Sequence, residues 1–345
     1  MNRSKPLAIS LLGLSAAALF AVTSAGAATA SPTTPNNGAS QVSSHQTGAT
    51  DAAAYWTGDR MKSAISGDVI AAKALQRGNR SAAEDVVKGA PTSVPGTVVP
   101  GAIPGTLLDK SADTTASATA KKPVLQAASE TPVKTIGKVF FTLAGSNYVC
   151  SGNSVSSSNR SVVSTAGHCV NEGPGAFATN WVFVPAYNNG SAPYGKWTAK
   201  ALYTPSQWSG SGNMQYDTGF AVMNTLNGKK LADVVGSSGI QFNQARGLTY
   251  KSFGYPAASP FNGETLKSCT GTATNDTINP QFNSQGIPCN MTGGSSGGPW
   301  FIGTSSTGYQ NSINSYGYGT NSTKMFGPYW GSVIQSTYSS ASAAA

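Results

Sequence analysis

Histidine is almost missing from this chain, whose 345 residues hold only His45 and His168. Charge is scarce too, at 10% of residues, and although the formal balance is +9 the basic residues are scattered, never more than two together. A nucleic-acid surface needs a basic run, stripe or recognised motif, and none is present. The four cysteines, Cys150, Cys169, Cys269 and Cys289, have no CxxC or HxxxH spacing beside them, which leaves a zinc site without its usual ligand pattern. Long apolar runs are lacking as well. The longest, Leu7 to Val22, holds 16 residues where a bilayer needs about 20, and no later segment could anchor the chain in a membrane.

What the N-terminus does have is Arg3 and Lys5, then that apolar run, then the small-residue stretch Ala25-Gly26-Ala27-Ala28-Thr29-Ala30. This is the layout of a secretory signal peptide over residues 1–30, with cleavage after Ala27 or Ala30. The expected mature protein is secreted and extracellular. An even cysteine count in an exported chain argues for two disulfides, and four cysteines allow three connectivities. Pairing neighbours in sequence would close two short loops, each contributing about 3 kcal/mol on the chain-entropy model.

Residues 31–130 form a second compositional zone, rich in Ala, Ser, Thr and Pro, with Tyr55 and Trp56 as its only aromatics. Within residues 51–88, Met61, Ile65, Val69, Ile70 and Ala74 recur at helical spacing and predict one or two short helices with those residues inward. Pro91, Pro95, Pro100 and Pro104 and a polar tract through Lys122 then read as a connection. The zone is expected to be a propeptide, docked through Tyr55 and Trp56 and removed outside the cell.

From about Thr131 onward, short β-rich runs alternate with Gly, Asn and Ser turns. Strands are predicted at 139–143, 161–165, 181–184, 197–203, 218–223, 248–253, 300–302 and 310–316. The expected fold class is all-β, a sandwich or barrel, ending in a short helix from Pro328 to about Tyr338 with Tyr329, Val333 and Ile334 inward.

The chemistry concentrates in three places. In Gly293-Gly294-Ser295-Ser296-Gly297-Gly298-Pro299, glycines flank a serine. A serine hydroxyl is a weak nucleophile, so it needs an exposed turn and donors for the oxyanion it creates. The Gly294 and Ser296 amides are the candidate donors. His168 follows Val162-Val163 in Ser164-Thr165-Ala166-Gly167-His168-Cys169 and is the one histidine available as a base, because His45 lies in the N-terminal zone. The late carboxylates are Glu172, Asp217, Asp233, Glu264 and Asp276. Asp217 directly precedes the apolar run Gly219-Phe220-Ala221-Val222, where it could be buried against an imidazole and hold its tautomer.

The order His168, Asp217, Ser296, with Thr-Ala-Gly-His-Cys, Asp-Thr-Gly-Phe-Ala-Val and Gly-Ser-Ser-Gly-Gly-Pro around them, resembles the trypsin/chymotrypsin superfamily of serine peptidases. The likeness spans roughly residues 131–340 and is nearest to bacterial secreted members, including the glutamyl endopeptidase branch. It implies two six-stranded antiparallel barrels with the triad between them, a Cys150–Cys169 bridge beside the histidine, a Cys269–Cys289 bridge near the serine, and an acyl-enzyme mechanism that needs no cofactor. Polypeptides are the implied substrates, the chain's own propeptide an implied partner, and a monomer the expected state. By the family's spacing Asn290 lies at the base of the specificity pocket, with Thr292 nearby and Asn314, Ser315, Tyr316 and Gly317 along the wall that pairs with substrate. Asn290 supplies no counter-charge for a basic side chain, so a neutral or mildly polar residue is expected before the scissile bond. Ser295 stands where animal-type relatives have an aspartate, which argues against activation by a new N-terminal ammonium.

Two other readings remain open at this point. A silent relative could bind a partner through the same fold, although such proteins usually lose a triad member. A secreted esterase would use the same groups, but typically on a GxSxG elbow with the histidine last in chain order.

Overall fold

The computed structural model describes residues 41–48, 51–78, 88–98, 127–319 and 321–345. The signal-peptide stretch and the Pro100–Lys122 connection lie outside them. Six strands form a closed antiparallel barrel in the order Ile136–Leu143, Ser146–Val155, Val162–Thr165, Gly219–Met223, Trp197–Pro205 and Thr179–Pro185, the last pairing back to the first. The period-2 alternation of side chains explains why these strands are buried on both faces. Val139, Phe141, Trp181 and Phe183 fill the barrel, while Phe140, Val182 and Val184 point outward onto Phe253, Tyr255 and Phe301 of the second half.

The second expected barrel is a ring of six strands that hydrogen-bonded ladders do not close. Lys267–Thr272, Thr249–Gly254, Pro299–Ile302 and Tyr309–Ile313 pair in that order. Gln285–Pro288 and Lys324–Gly327 belong to a separate sheet. One junction is a single bridge between Tyr316 and Phe326. The other is spanned by the Cys269–Cys289 disulfide, so a covalent link stands where a ladder would.

The C-terminal helix runs Ser332–Ala343, later than predicted. Val333, Ile334, Thr337, Tyr338 and Ala341 face inward, and the Tyr338 ring packs on Phe220 of the first barrel. Tyr329 is buried but precedes the helix, its hydroxyl donating to the Gln244 carbonyl.

The N-terminal zone wraps this body. Val42–Gln46 adds an antiparallel strand to Trp197–Pro205, and Thr92–Val94 adds one to Gly239–Phe242. Trp56 is fully buried against Phe140, with its indole N–H donating to the Asn180 carbonyl, while Tyr55 is half-buried. The predicted helical face needs correction. The chain is extended at Ile65–Ser66, pairing parallel with Tyr148 and Val149, and the helix starts afresh at Asp68–Gly78. The phase resets there, so Ile65 and Val69 are 51% and 42% exposed, whereas Ile70, Ala71 and Ala74 are buried.

Candidate active site

Strand pairing in the first barrel brings His168 and Asp217 together. Thr165 pairs with Gly219, so the single helical turn Gly167–Cys169 and the turn ending at Asp217 emerge at the same end of adjacent strands. Asp217 grips the histidine twice. Oδ1 accepts the backbone N–H of His168 at 2.8 Å, and Oδ2 takes Nδ1–H at 2.8 Å. With Nδ1 as donor, Nε2 carries the lone pair, which is the tautomer a general base requires. Nε2 has no hydrogen-bond partner among the described residues, and both His168 and Asp217 are fully buried.

Ser296 sits on the turn between the two barrels. Ser151 of the first barrel holds this turn from one side: its N–H donates to the Ser296 carbonyl at 2.7 Å and its hydroxyl to the Gly294 carbonyl at 2.9 Å. The Tyr255 amide in turn donates to Ser151 Oγ, tying in the second barrel. Asn314 holds the other side, its Nδ2 donating to the carbonyls of Phe253 and Ser295 while its Oδ1 accepts the Trp300 indole N–H. Gly294 and Gly297 have φ of +95° and +81°, the left-handed region that other residues seldom occupy. A Cβ on Gly297 would lie 2.2 Å from Thr165 Oγ1, so the Ser296 turn approaches the strand that leads to His168 as closely as it does only because that side chain is absent. No hydrogen bond joins Ser296 to His168 Nε2 in this arrangement.

The remaining predicted residues divide. Ser315 donates to Asp217, and Tyr316 stacks on Phe326 with ring centroids 5.1 Å apart. Gly317 lies against Ser322. Asn290 accepts from the Ala127 amide and Thr292 donates to the Ala258 carbonyl. His45 stacks on Phe177, on an added strand of the first barrel. Cys150 and Cys169 are bonded to each other, as are Cys269 and Cys289, so the sulfurs beside His168 are not free to ligate a metal. Asn314, expected along the wall that pairs with substrate, instead braces the turn. Ser151 and Trp208, whose ring lies 6.3 Å from that of His168, were not anticipated, and adjacency to Cys150 was the signal for the first.

No family model matches the chain, and no curated protein sequence does. Solved structures do. The protease Anisep from Arthrobacter nicotinovorans is 80% identical over 63% of this chain and 100% of its own, with a TM-score of 0.63. A thermostable serine protease, AL20, from an extremophilic microorganism is 51% identical over 61% of this chain and 98% of its own, with a TM-score of 0.60. Together with the closed barrel and the paired His168 and Asp217, this likeness places the chain in the trypsin/chymotrypsin-like family of serine peptidases, and it is a protease.

Proposed function

We propose that the chain is a secreted endopeptidase in which Ser296, His168 and Asp217 form the catalytic triad. The observation that carries this reading is the double grip of Asp217 on His168, which leaves Nε2 as the only free nitrogen of the ring. Nε2 takes the proton of Ser296 as Oγ bonds to the substrate carbonyl carbon. The carbonyl oxygen becomes an oxyanion that the Gly294 and Ser296 amides receive. His168 returns the proton to the departing amine as the C–N bond breaks, and a water molecule, activated in the same way, hydrolyses the acyl-enzyme. Every group in this sequence belongs to the chain, so no cofactor is required.

Export rests on the N-terminal signal pattern and on two disulfides, which persist in oxidising compartments. Among the described residues no helix is long and apolar enough to cross a membrane. Residues 31–130 are read as a propeptide. In support, residues 131–345 make up about the share of this chain, 63%, that the complete Anisep chain covers. The mature enzyme is read as a monomer acting on polypeptides, with a neutral or mildly polar side chain before the cleaved bond.

The test is intact mass spectrometry of the secreted, processed chain after treatment with a serine-directed fluorophosphonate, beside a Ser296→Ala control. One adduct on the wild type and none on the control is expected, together with a fall in turnover of ~10⁶-fold for the variant. A folded, processed wild type that takes no adduct would defeat the reading.

A further inference from the structure

The segment Ile65–Gly78 lies across the proposed catalytic groups, and its fit there is specific. Ile65 and Ser66 pair with Tyr148 and Val149, and the Gly67 amide donates to the Val149 carbonyl at 3.0 Å. Gly67 is pressed against the disulfide next to the histidine: a Cβ there would lie 2.8 Å from Cys150 Sγ and 3.3 Å from the Val149 oxygen. On its other side the turn meets the nucleophile loop. The space a Gly293 Cβ would take is already filled, with Asp68 Cγ 2.2 Å and Ser66 Oγ 2.3 Å from that point. Ser66 and Asp68 also hydrogen-bond to each other, which braces the turn.

The helix that follows continues the cover. Ile70 packs in the core cluster that holds Ala166, Cys150 and Cys169. Ala71 and Ala74 lie in a cluster with Trp208, Met214, Tyr316 and Phe326, and Arg77 reaches the Gly173 carbonyl. Under this cover His168 and Asp217 are 0% exposed and Ser296 is 4% exposed. A peptide substrate must reach Ser296 and lie along the Ser315–Gly317 edge, and Tyr316 on that edge is beneath the helix. The segment itself is a poor substrate. A helical backbone spends its N–H and C=O groups on its own i→i−4 bonds and cannot present an extended strand to that edge.

We propose that Ile65–Gly78 is an intramolecular inhibitor, with the Ser66-Gly67-Asp68 turn wedged between the Cys150–Cys169 bridge and the nucleophile loop, so that the uncleaved chain is shut. This rests on the triad reading above and adds the regulation of that site. Being tethered, the segment competes with substrate at the high effective concentration of a linked partner. Its second anchorage, Trp56 in its buried site with Lys196 donating to the Ala53 and Trp56 carbonyls, lies away from the cleft and positions the turn.

The experiment uses the full chain and its processed product, both labelled with a fluorophosphonate and resolved by intact mass. The uncleaved wild type is expected to label ~100-fold more slowly than the processed chain, the ratio set by an open state of roughly 1%. Gly67→Leu is expected to raise labelling of the uncleaved chain by ~10-fold or more, the shift that an overpacking cost of this kind produces. Ala74→Arg, at the far end of the cover, provides a second variant should the first fail to fold, and near-ultraviolet circular dichroism checks both. Uncleaved wild type that labels as fast as processed chain overturns the proposal and leaves the triad reading intact. Folded variants that label as slowly as wild type overturn the assignment of the wedge. An unlabelled processed chain strikes instead at Ser296 as the nucleophile, and the proposal falls with it.

Discussion

Ser315 donates its hydroxyl to Asp217 Oδ2 at 2.5 Å, the same oxygen that takes Nδ1–H of His168. The carboxylate is fully buried with no lysine or arginine paired to it among the described residues, so these donors and the His168 amide carry its charge. Ser315→Ala removes one of them. Hydrogen bonds to charged groups contribute about 1.5–3 kcal/mol, so kcat is expected to fall by roughly 10-fold or more. Steady-state kinetics on a small ester and a peptide would show it. An unchanged kcat would mean that the hydroxyl does nothing for Asp217.

Asn314 makes a different kind of contribution, because it ties the Ser296 turn to Phe253 and Trp300. Asn314→Leu strands the Trp300 indole N–H in the interior and takes one donor from the carbonyls of Phe253 and Ser295, the latter keeping the Gly298 amide. At about 1–3 kcal/mol for an unsatisfied buried group, a stability loss of ~2 kcal/mol or more is expected. Denaturant unfolding in a Ser296→Ala background, where autolysis cannot interfere, measures it. A loss below about 1 kcal/mol would show that the turn stands without Asn314.

How much of this was legible from the sequence depended on which force placed each residue. The pairing of His168 with Asp217 could be read because one histidine and five late carboxylates left little choice, and because Asp217 opens an apolar strand. The eight strands predicted from apolar alternation all exist, with shifted ends. The strand Ser146–Val155 was missed, although it is central to the site. Its Ser151, Asn153 and Ser154 are buried by hydrogen bonds rather than by apolar contact, so hydrophobic patterning has nothing to find. Lys267–Thr272 and Lys324–Gly327 escaped for a similar reason, being short, polar and Gly-containing. In the N-terminal zone the spacing of Met61 through Ala74 predicted one or two short helices, and two form, Gly58–Ser63 and Asp68–Gly78. A strand pairing with the barrel separates them, and pairing between distant segments is invisible to local periodicity.

The protein carries a set of buried tyrosines whose response to alkali follows from their surroundings. Burial raises Tyr187, Tyr250, Tyr255, Tyr316 and Tyr318 above the ordinary tyrosine value of 10.0, with Glu264 adding to this at Tyr187 and Asp276 at Tyr316 and Tyr318. A group raised in the folded state stabilises the fold fully below its unfolded value, and that contribution is lost as pH rises past it. Lys138, lowered by burial, and Tyr55, lowered by its hydrogen bonds to Thr142 and Asn147, act the opposite way below their ordinary values of 10.5 and 10.0, but they are two groups against these five. The midpoint of thermal unfolding is therefore expected to drop steeply above about pH 10. Tyrosinate absorbance should rise in the same step as unfolding. Reversible ionisation of these tyrosines in the folded protein near pH 10 would contradict it.

Ser295 bears on how the enzyme is switched on. It is 1% exposed, and its hydroxyl donates to the Thr292 carbonyl at 2.8 Å, so its polar group is satisfied inside the turn. No carboxylate stands at this position to call for a newly freed ammonium, and the turn needs no ion pair to set Gly294 and Ser296. On the inhibitor proposal above, activation consists of uncovering the cleft rather than reorganising it. Processed enzyme carrying two extra residues ahead of its mature N-terminus is expected to keep kcat/KM within about twofold, as for surface changes remote from a site. The comparison is made at matched active-site titre, counted by fluorophosphonate labelling, so that incomplete folding is not mistaken for lost activity. A fall of ~100-fold or more at equal titre would mean that the terminal ammonium does order the site, through a partner other than residue 295.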